Sequence, residues 1–378
     1  MSIRPRARDL GIRIGRLDPG PFNAITDVPG VRVGHTTIIQ GSGKLVPGEG
    51  PIRTGVTAIL PHPGDLFLDK VTGAVHRING FGEVTNSEQV HELGFIEGPI
   101  MITNTFNVPR VADAVLDWSL GHSQVMEVNT WGVSPLVAET NDLWLNDSRG
   151  RHVHRDHVFH AIDSATGDAV EEGAVGGGTG MICFGFKGGI GTASRRLPQE
   201  LGGYTVGVLT QTNFGVRPQL VVDGVPVGRE LVDFQPHSYE VPKNAADGGS
   251  VIVVIATDAP CTHRQLTRLA MRAQNGLART GSQTGNTSGD FSIAFSTTRR
   301  KQHYPKALTY SFEQIVETGD LINQMFYSVV EATEEAVLNS LFKAETMVGR
   351  DDRQVPGLPV KETVDIMNRY GHISVHLP

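Results

Sequence analysis

Several short apolar runs bounded by Gly, Pro or Asn give the chain a pattern typical of β-strands. The run VIVVIA at 251–256 is apolar at every position, which predicts a deeply buried strand. It follows Gly248-Gly249-Ser250 directly, so a flexible joint stands against a stiff element. Further strands are predicted over 55–60, 99–105, 205–212, 219–224 and 291–297.

Helices are predicted where apolar residues recur at intervals of three and four. The segment 262–281 begins with Thr262 and Gln265 at the spacing of a capping box and ends on Gly281. A second long helix is predicted over 320–342, with its apolar residues on one face. Shorter helices are predicted over 109–120 and 360–370.

The order of these elements indicates the fold class. Both long helices follow Ser250, whereas the glycine-rich strands mostly precede it. Strands and helices do not alternate as regularly as a doubly wound parallel sheet requires, which favours a layered α+β architecture. Each half alone would leave large apolar faces uncovered, and no linker divides the 378 residues, so we expect a single domain.

Composition is that of a soluble globular protein, with 39% hydrophobic and 19% charged residues. The net charge of −7 gives no attraction to nucleic acid or anionic membranes, and no apolar run approaches the ~20 residues of a membrane span. The N-terminus lacks the apolar segment of a secretory signal, so a cytoplasmic location is predicted. Cys183 and Cys261 are too few for a disulfide framework and are interpreted as buried small side chains.

Two motifs are typical of nucleotide or metal sites, but their details favour structural roles. The glycine run at 171–196 lacks the Gly-Lys-Ser/Thr ending of a phosphate-binding loop, so we interpret its glycines as serving turns and close strand packing. Four histidines lie between His152 and His160, a density that suits zinc. No Glu stands where the H-E-x-x-H motif requires it, so a partly exposed helix start is favoured and no metal is expected.

Three polar segments are candidates for a substrate site. The loop 134–150 combines Glu139 with Trp144, and a carboxylate beside aromatic walls suits a substrate ammonium group, although Asx turns explain the same composition. Asn213 ends a predicted strand, where its amide either donates to a developing oxyanion or forms a turn. The loop 282–290 supplies hydroxyls and a carboxylate that suit the positioning of a nucleophile or an amine.

The joint between Gly249 and Ser250 has a specific chemistry open to it. The serine hydroxyl can attack the preceding carbonyl and move the acyl group from nitrogen to oxygen, and hydrolysis of that ester cuts the chain. Glycine has no side chain to block the attack, and the flexible NAADGG run would let the cut end move away. The new N-terminal Ser250 would carry a hydroxyl and an α-amine with a pKa of about 7.7–8, which suits a general base. A plain turn is the alternative.

Four segments together resemble one family: NAADGGSVIVVIATDAP, VAETNDLWLND, QTNFG and GSQTGNTSGDFSIAFST. With the opening ITDVPGVRVGHTT they are similar to the DmpA-type L-aminopeptidase / D-Ala-esterase/amidase family, from about residue 8 to 375. The resemblance implies an αββα four-layer sandwich with layers like those of N-terminal-nucleophile hydrolases but a different connectivity, shared with ornithine acetyltransferases. It also implies homotetramers of a precursor cleaved into chains 1–249 and 250–378.

The resemblance implies roles for individual residues by position. Ser250 would be the nucleophile, its freed α-amine a candidate base, and Ser288 would hydrogen-bond both, with Asp290 behind it. The related β-aminopeptidases carry Glu where this chain has Asp290, which leaves the role of Asp290 open.

The remaining implied roles concern the oxyanion and the substrate. Asn213 would donate to the oxyanion, together with a backbone N–H, and Glu139 would bind the substrate ammonium. Trp144 and Asn146 are candidates for the pocket wall. The implied reaction releases small N-terminal residues from peptides, amides and esters without a cofactor. The alternatives are an acetyltransferase of the ornithine type, a histidine-metal hydrolase and a non-catalytic glycine-rich binding protein.

Overall fold

The computed structural model describes residues 4–234 and 249–373. Most of the NAADGG run, residues 244–248, lies outside the described residues. The strands are β1 Arg32–Gln40, β2 Ile52–Leu60, β3 Asp69–Gly80, β4 Phe95–Ile96, β5 Ile100–Asn104, β6 Leu136–Thr140, β7 Ile182–Cys183, β8 Phe186–Lys187, β9 Gly189–Arg196, β10 Thr205–Asn213, β11 Gly249–Thr257, β12 Ser288–Gln302, β13 Met347–Val348 and β14 Gln354–Val355. The α-helices are α1 Ser87–Leu93, α2 Val108–His122, α3 Arg155–Asp163, α4 Val227–Glu230, α5 His263–Ala270, α6 Ala273–Arg279, α7 Asp320–Lys343 and α8 Val360–Arg369.

Two sheets stacked face to face form the centre of the molecule. One has the strand order β1-β2-β5-β6, and the other has the order β4-β3-β12-β11-β10-β9. Their facing sides share one buried apolar cluster, to which Ile102 and Ala138 contribute from the four-stranded sheet and Ile252 and Val254 from the six-stranded sheet. Because both inner faces are apolar, the two sheets exclude water from each other.

Helices cover both outer faces. The helices α2 and α3 pack on the four-stranded sheet, and α5 and α7 pack on the six-stranded sheet, with α6 against α7. The result is the αββα sandwich that the family resemblance implies, so the expected fold class is confirmed.

The strand β11 is buried on both faces. Val251, Val253 and Ile255 point into the cluster beneath the helices. Ile252, Val254 and Ala256 point into the cluster between the sheets. An unbroken apolar run is what a strand with two covered faces needs, so the prediction for 251–256 is confirmed.

Five of the six predicted strands coincide with β2, β5, β10, β11 and β12, and the prediction for 219–224 is wrong. A single 3₁₀ turn covers Arg217–Gln219, and Val222 and Val225 then exchange backbone hydrogen bonds of 2.9 Å across a tight turn. Asp223 and Gly224 between them have φ angles of 46° and 82°. Two successive left-handed residues close a turn, so the buried valines here do not indicate a strand.

The predicted helix over 262–281 is divided into α5 and α6 at Met271 and Arg272. Its capping box is confirmed, since Thr262 Oγ1 accepts from the Gln265 backbone N–H at 3.2 Å. The division lets α5 pack on β3 and β12 while α6 packs on α7. Gly276 permits that contact, because a Cβ there would lie 2.6 Å from the Val330 carbonyl oxygen.

The predictions for 320–342 and 360–370 are confirmed as α7 and α8, whereas α2 continues through Gly121 to His122 instead of ending before the glycine. The helix α7 has more than one buried face, because nearly all of its side chains from Ser328 to Phe342 are buried. Cys183 and Cys261 are free and buried, as predicted. Within residues 4–234 and 249–373, each helix is too short or too polar to cross a bilayer.

Candidate active site

Ser250 lies where three strands of the six-stranded sheet bring polar residues together. It enters β11, where it pairs with Asn213 at the end of the antiparallel strand β10 and with Gly289 on the parallel strand β12. Gly249 pairs with Ser288 in the same parallel register. Ser250 is 3% exposed and lies at the wall of an open cavity of about 590 Å³.

The cavity contains most of the predicted substrate site. Its lining residues are Gly80, Phe81, Gly82, Thr105, Glu139, Asn141, Leu143, Trp144, Gly180, Ile182, Asn213, Phe214, Gly215, Gly249, Ser250 and Thr287. The lining therefore includes the predicted residues Glu139, Trp144, Asn213 and Ser250. It combines apolar walls with a few polar groups, as small-molecule sites commonly do.

Two N–H donors reach the Ser250 hydroxyl oxygen. Asn213 Nδ2 lies 3.2 Å from Ser250 Oγ, and the backbone N of Asn141 lies 3.4 Å from the same atom. Two N–H donors that converge on one point can stabilise negative charge that develops beside it. The backbone N–H expected from the family resemblance was not tied to a residue, because a backbone donor has no signature in the sequence; Asn141 provides one here.

The side-chain amide of Asn213 is held at both ends. Its Nδ2 also donates to the Asn141 carbonyl oxygen at 3.0 Å, and its Oδ1 accepts from the Ile182 backbone N–H at 3.0 Å. These partners fix which end of the amide carries the nitrogen. The donor is therefore oriented toward Ser250 before any substrate binds.

Ser288 and Asp290 form a buried pair on β12. The Ser288 hydroxyl donates to Asp290 Oδ1 at 2.6 Å, and the two residues are 3% and 1% exposed. Burial raises the pKa of Asp290 to about 6, against the opposing effect of the Ser288 hydrogen bond. The pair lies next to the strand that carries Ser250, but within the described residues the Ser288 hydroxyl bonds to Asp290 and no hydrogen bond joins it to Ser250.

Glu139 supplies a carboxylate to the cavity from the end of β6. It is 4% exposed, and the Thr105 hydroxyl donates to its Oε2. Burial raises the pKa of Glu139, partly offset by the Thr105 hydrogen bond. A carboxylate in an apolar cavity is best satisfied by a cation, so this position suits an ammonium group. Thr105 directly follows β5, and no motif in the sequence marks it as a partner of Glu139.

Asn146 supports the site from behind and does not line the cavity, contrary to the expectation for it. It is 1% exposed, its Nδ2 donates to Asp142 Oδ1 at 3.0 Å, and its Oδ1 accepts from the Arg53 backbone N–H at 2.9 Å. Asn146 and Ser148 of this loop donate to the buried Asp142 carboxylate, and an Asx turn is formed by Asn141, whose Oδ1 accepts from the Leu143 backbone N–H at 2.9 Å. Trp144 does line the cavity, and the Arg353 guanidinium lies 4.0 Å from its ring centroid.

The glycine run and the histidines have the structural roles that were favoured for them. A Cβ on Gly178 would lie 2.5 Å from the Ile190 backbone N, which confirms close strand packing. His152 Nε2 contacts Asp147 Oδ2 at 2.9 Å, and α3 begins within the histidine cluster. Over the described ranges, no three potential ligands are grouped closely enough to hold a metal ion.

Comparison with known proteins extends over almost the whole chain. The model of peptidase family S58 matches residues 23–355. The beta-peptidyl aminopeptidase BapA of Sphingosinicella microcystinivorans is 44% identical, over 98% of this chain and 93% of the relative.

Solved structures also match over almost the whole chain. The PH0078 protein of Pyrococcus horikoshii OT3 matches with a TM-score of 0.91 at 48% identity, over 98% of this chain and 100% of that one. The L-aminopeptidase D-Ala-esterase/amidase of Ochrobactrum anthropi, a variant of the Ntn hydrolase fold, matches with a TM-score of 0.88 at 39% identity and the same coverage.

Proposed function

This chain belongs to peptidase family S58 and is an aminopeptidase, and we propose that it activates itself by cutting the bond between Gly249 and Ser250. The cut yields chains of residues 1–249 and 250–378 within one folded domain. Ser250 then attacks peptides, amino-acid amides and esters that have a free N-terminal amine and a small first residue. The observation that carries the proposal is the position of Ser250 Oγ at the cavity, within 3.4 Å of two N–H donors.

The proposed reaction proceeds through an acyl-enzyme. Ser250 Oγ bonds to the first carbonyl carbon of the substrate, and its proton passes to the freed α-amine or, through Ser288, toward Asp290. The carbonyl oxygen becomes an oxyanion that accepts from Asn213 Nδ2 and the Asn141 N–H. The leaving amine or alcohol departs with a proton, and water then hydrolyses the ester on Ser250.

Glu139 accounts for the requirement for a free amine. Its buried carboxylate would pair with the substrate ammonium. The ammonium would compensate the negative charge that burial disfavours. A blocked N-terminus would leave the carboxylate without that partner. The contact also places the first carbonyl of a small residue at a fixed distance from the amine, which suits attack by Ser250.

A preference for β-amino acid residues is the second candidate. It is favoured by the 44% identity to a beta-peptidyl aminopeptidase. A competition experiment tests this preference: a β-alanine amide and an L-alanine amide compete for the mature enzyme. The measurement is the ratio of their two kcat/KM values.

The two proposed chains would remain joined by buried ion pairs. Arg8 Nε contacts Glu335 Oε1 at 2.7 Å, and the fully buried Arg195 Nη2 contacts Glu335 Oε2 at 2.7 Å. Arg8 and Arg195 precede the proposed cut and Glu335 follows it, so separating the chains would strand a buried carboxylate. We also propose that cleaved units assemble into homotetramers, which light scattering tests.

N-terminal sequencing of the purified enzyme tests the proposed cleavage. A denaturing gel should show two chains, the smaller beginning Ser250-Val251-Ile252, and Ser250→Ala should give an intact, inactive chain. Ser292→Ala is the matched control, since this buried serine donates to the Ala270 carbonyl oxygen and should leave processing intact. An active enzyme that remains a single chain contradicts the proposal. Activity abolished by a chelator would favour the metal hydrolase, and transfer to an acceptor amine in place of water would favour the acetyltransferase.

A further inference from the structure

Lys187 is a buried lysine immediately behind the active site. It is 0% exposed, and its Nζ donates to three backbone carbonyl oxygens: Met181 at 2.7 Å, Gly188 at 2.7 Å and Gly178 at 3.1 Å. Lysine is almost never fully buried unless its charge is compensated, so its presence here calls for a reason. The proposed catalytic steps do not use it directly.

The contact with Met181 connects Lys187 to the oxyanion donors. The Met181 carbonyl and the Ile182 N–H belong to the same peptide unit, and that N–H donates to Asn213 Oδ1 at 3.0 Å. The other end of the Asn213 amide lies 3.2 Å from Ser250 Oγ. A continuous series of hydrogen bonds therefore leads from the lysine ammonium to the nucleophile.

All bonds in this series point the same way. Each group donates toward Ser250 and accepts from the side of Lys187, so a positive charge at the far end polarises every member in the same sense. A charge acts over a longer distance in a buried, low-dielectric environment than in water. The series would therefore favour negative charge where the oxyanion forms.

We propose that Lys187 is a positioning residue of the oxyanion site. Through the 181–182 peptide and the Asn213 amide, its ammonium strengthens the hydrogen bond that Asn213 donates to the oxyanion. This inference rests on the proposed function, in which Asn213 is an oxyanion donor. A lysine that only held the turn 178–188 together would affect folding without acting through Asn213.

The pKa of Lys187 lies close to neutral pH. Burial lowers the pKa of Lys187 to about 7, and Cys183 and Asp142, the titratable groups that face it, oppose that shift. The ammonium form is the one that polarises the series. We therefore expect kcat to decline as pH rises through about 7, and this decline should be absent from Asn213→Ala.

A double-mutant cycle in the mature enzyme tests the proposal. Lys187→Gln keeps two N–H donors for the carbonyls but removes the charge, and we expect it to lower kcat about tenfold with little change in KM, less than the loss of an oxyanion donor. In the Asn213→Ala background the same substitution should change kcat by less than about twofold, because the series is already broken. An equal loss in both backgrounds overturns the relay. If Asn213→Ala alone leaves kcat unchanged, the proposed function fails instead.

Further variants separate charge from packing. Lys187→Arg should recover part of the kcat that Lys187→Gln loses. Lys70→Gln is the matched control, since Lys70 is also buried, 4% exposed, and bonded to Glu97 and the Phe67 carbonyl oxygen. It should alter stability but not kcat. If Lys187→Gln does not mature, the wild-type pH profile decides: a decline near pH 7 that persists unchanged in Asn213→Ala contradicts the proposal.

Discussion

Two turns contact the two ends of the Asn213 side-chain amide, and each contains a buried ionisable residue, Asp142 in one and Lys187 in the other. The turn after β6, residues 141–148, surrounds the Asp142 carboxylate, and its Asn141 carbonyl accepts from Asn213 Nδ2. The turn 178–188 surrounds the Lys187 ammonium, and its Ile182 N–H donates to Asn213 Oδ1. The side-chain amide between them has its orientation set by both.

The two turns satisfy their charges by different means. The Asp142 carboxylate accepts from four side chains: Thr54, Asn104, Asn146 and Ser148. The Lys187 ammonium donates to three backbone carbonyl oxygens of its own turn. A buried charge is tolerated only with its hydrogen bonds complete, so the first turn depends on several strands and the second on its own backbone shape.

Removing the Asn213 side-chain amide, which both turns contact, should have the largest effect on kcat. Asn213→Ala deletes one of two proposed oxyanion donors, and we expect kcat to fall by about 10²- to 10³-fold. Steady-state kinetics with an ester substrate measures the change in kcat. Asn339→Ala is the control, because the Asn339 amide is also bonded at both ends, to the Ala7 N–H and the Thr192 carbonyl oxygen, but lies in α7. Equal losses of kcat in both variants would contradict the assignment.

A third buried ionisable group, Asp290, lies on the other side of Ser250 from these turns and should give the next largest effect. Because its pKa is raised to about 6, kcat/KM should rise as pH increases through that value and the carboxylate forms. Asp290→Asn should abolish this rise and lower kcat/KM by about 10²-fold.

The same shift predicts a dependence of stability on pH. Burial favours the protonated form of Asp290, so this contribution to the free energy of unfolding is complete below the ordinary pKa of about 3.9 and is lost as pH rises through about 6. Asp290→Asn should therefore gain stability relative to the wild type as pH is raised from 4 to 7, by urea unfolding. A constant difference over that range would be the contrary result.

Replacing the Asp142 carboxylate in the turn of residues 141–148 should lower the stability of the protein. Asp142→Asn places an amide nitrogen against side-chain donors, and we expect the free energy of unfolding to fall by about 1–3 kcal/mol. Urea unfolding of the mature enzyme measures it. Asp168→Asn, at an exposed position, is the control and should change the value by less than about 0.5 kcal/mol. Equal changes in the free energy of unfolding of the two variants would contradict a stabilising role for the Asp142 carboxylate.

The smallest effect is expected at Trp144, where the turn of residues 141–148 lines the cavity. Arg353→Leu removes the cation above Trp144 and should raise KM about two- to fivefold, the equivalent of ~0.5–1 kcal/mol. Arg272→Leu is the matched control, because Arg272 lies at the same 4.0 Å distance over Phe326, far from the cavity lining. A KM that changes in both variants would contradict a local effect.

The sequence predicts most of what depends on side-chain pattern. The run at 251–256 and the polar residue Asn213 at a strand end could be identified because two-sided burial and strand ends leave a mark on composition. Glu139 and Trp144 could be placed near each other because they share a short loop. The family resemblance then supplied the layer order, which periodicity alone leaves open.

What the sequence does not predict depends on backbone geometry. The Asn141 N–H belongs to a peptide group that every residue has, so no pattern marks it as a donor. Lys187 lies within a glycine run and looks like an ordinary surface lysine until the carbonyls around it are seen. The sequence predicts Asn146 in the pocket wall, because a polar loop does not reveal which of its side chains turn inward, as Asn146 does to Asp142.

The most direct test of the account is to map the acyl group during turnover. The mature enzyme is mixed with an amino-acid ester, quenched in acid within one turnover, and the chain of residues 250–378 is analysed by peptide mass spectrometry. The account predicts a single added aminoacyl group on the N-terminal peptide that begins with Ser250, in the wild type and in Asn339→Ala alike, and no added group on the uncleaved chain of Ser250→Ala. An acyl group on any other residue, or turnover with no acylated chain at any quench time, would contradict Ser250 as the nucleophile.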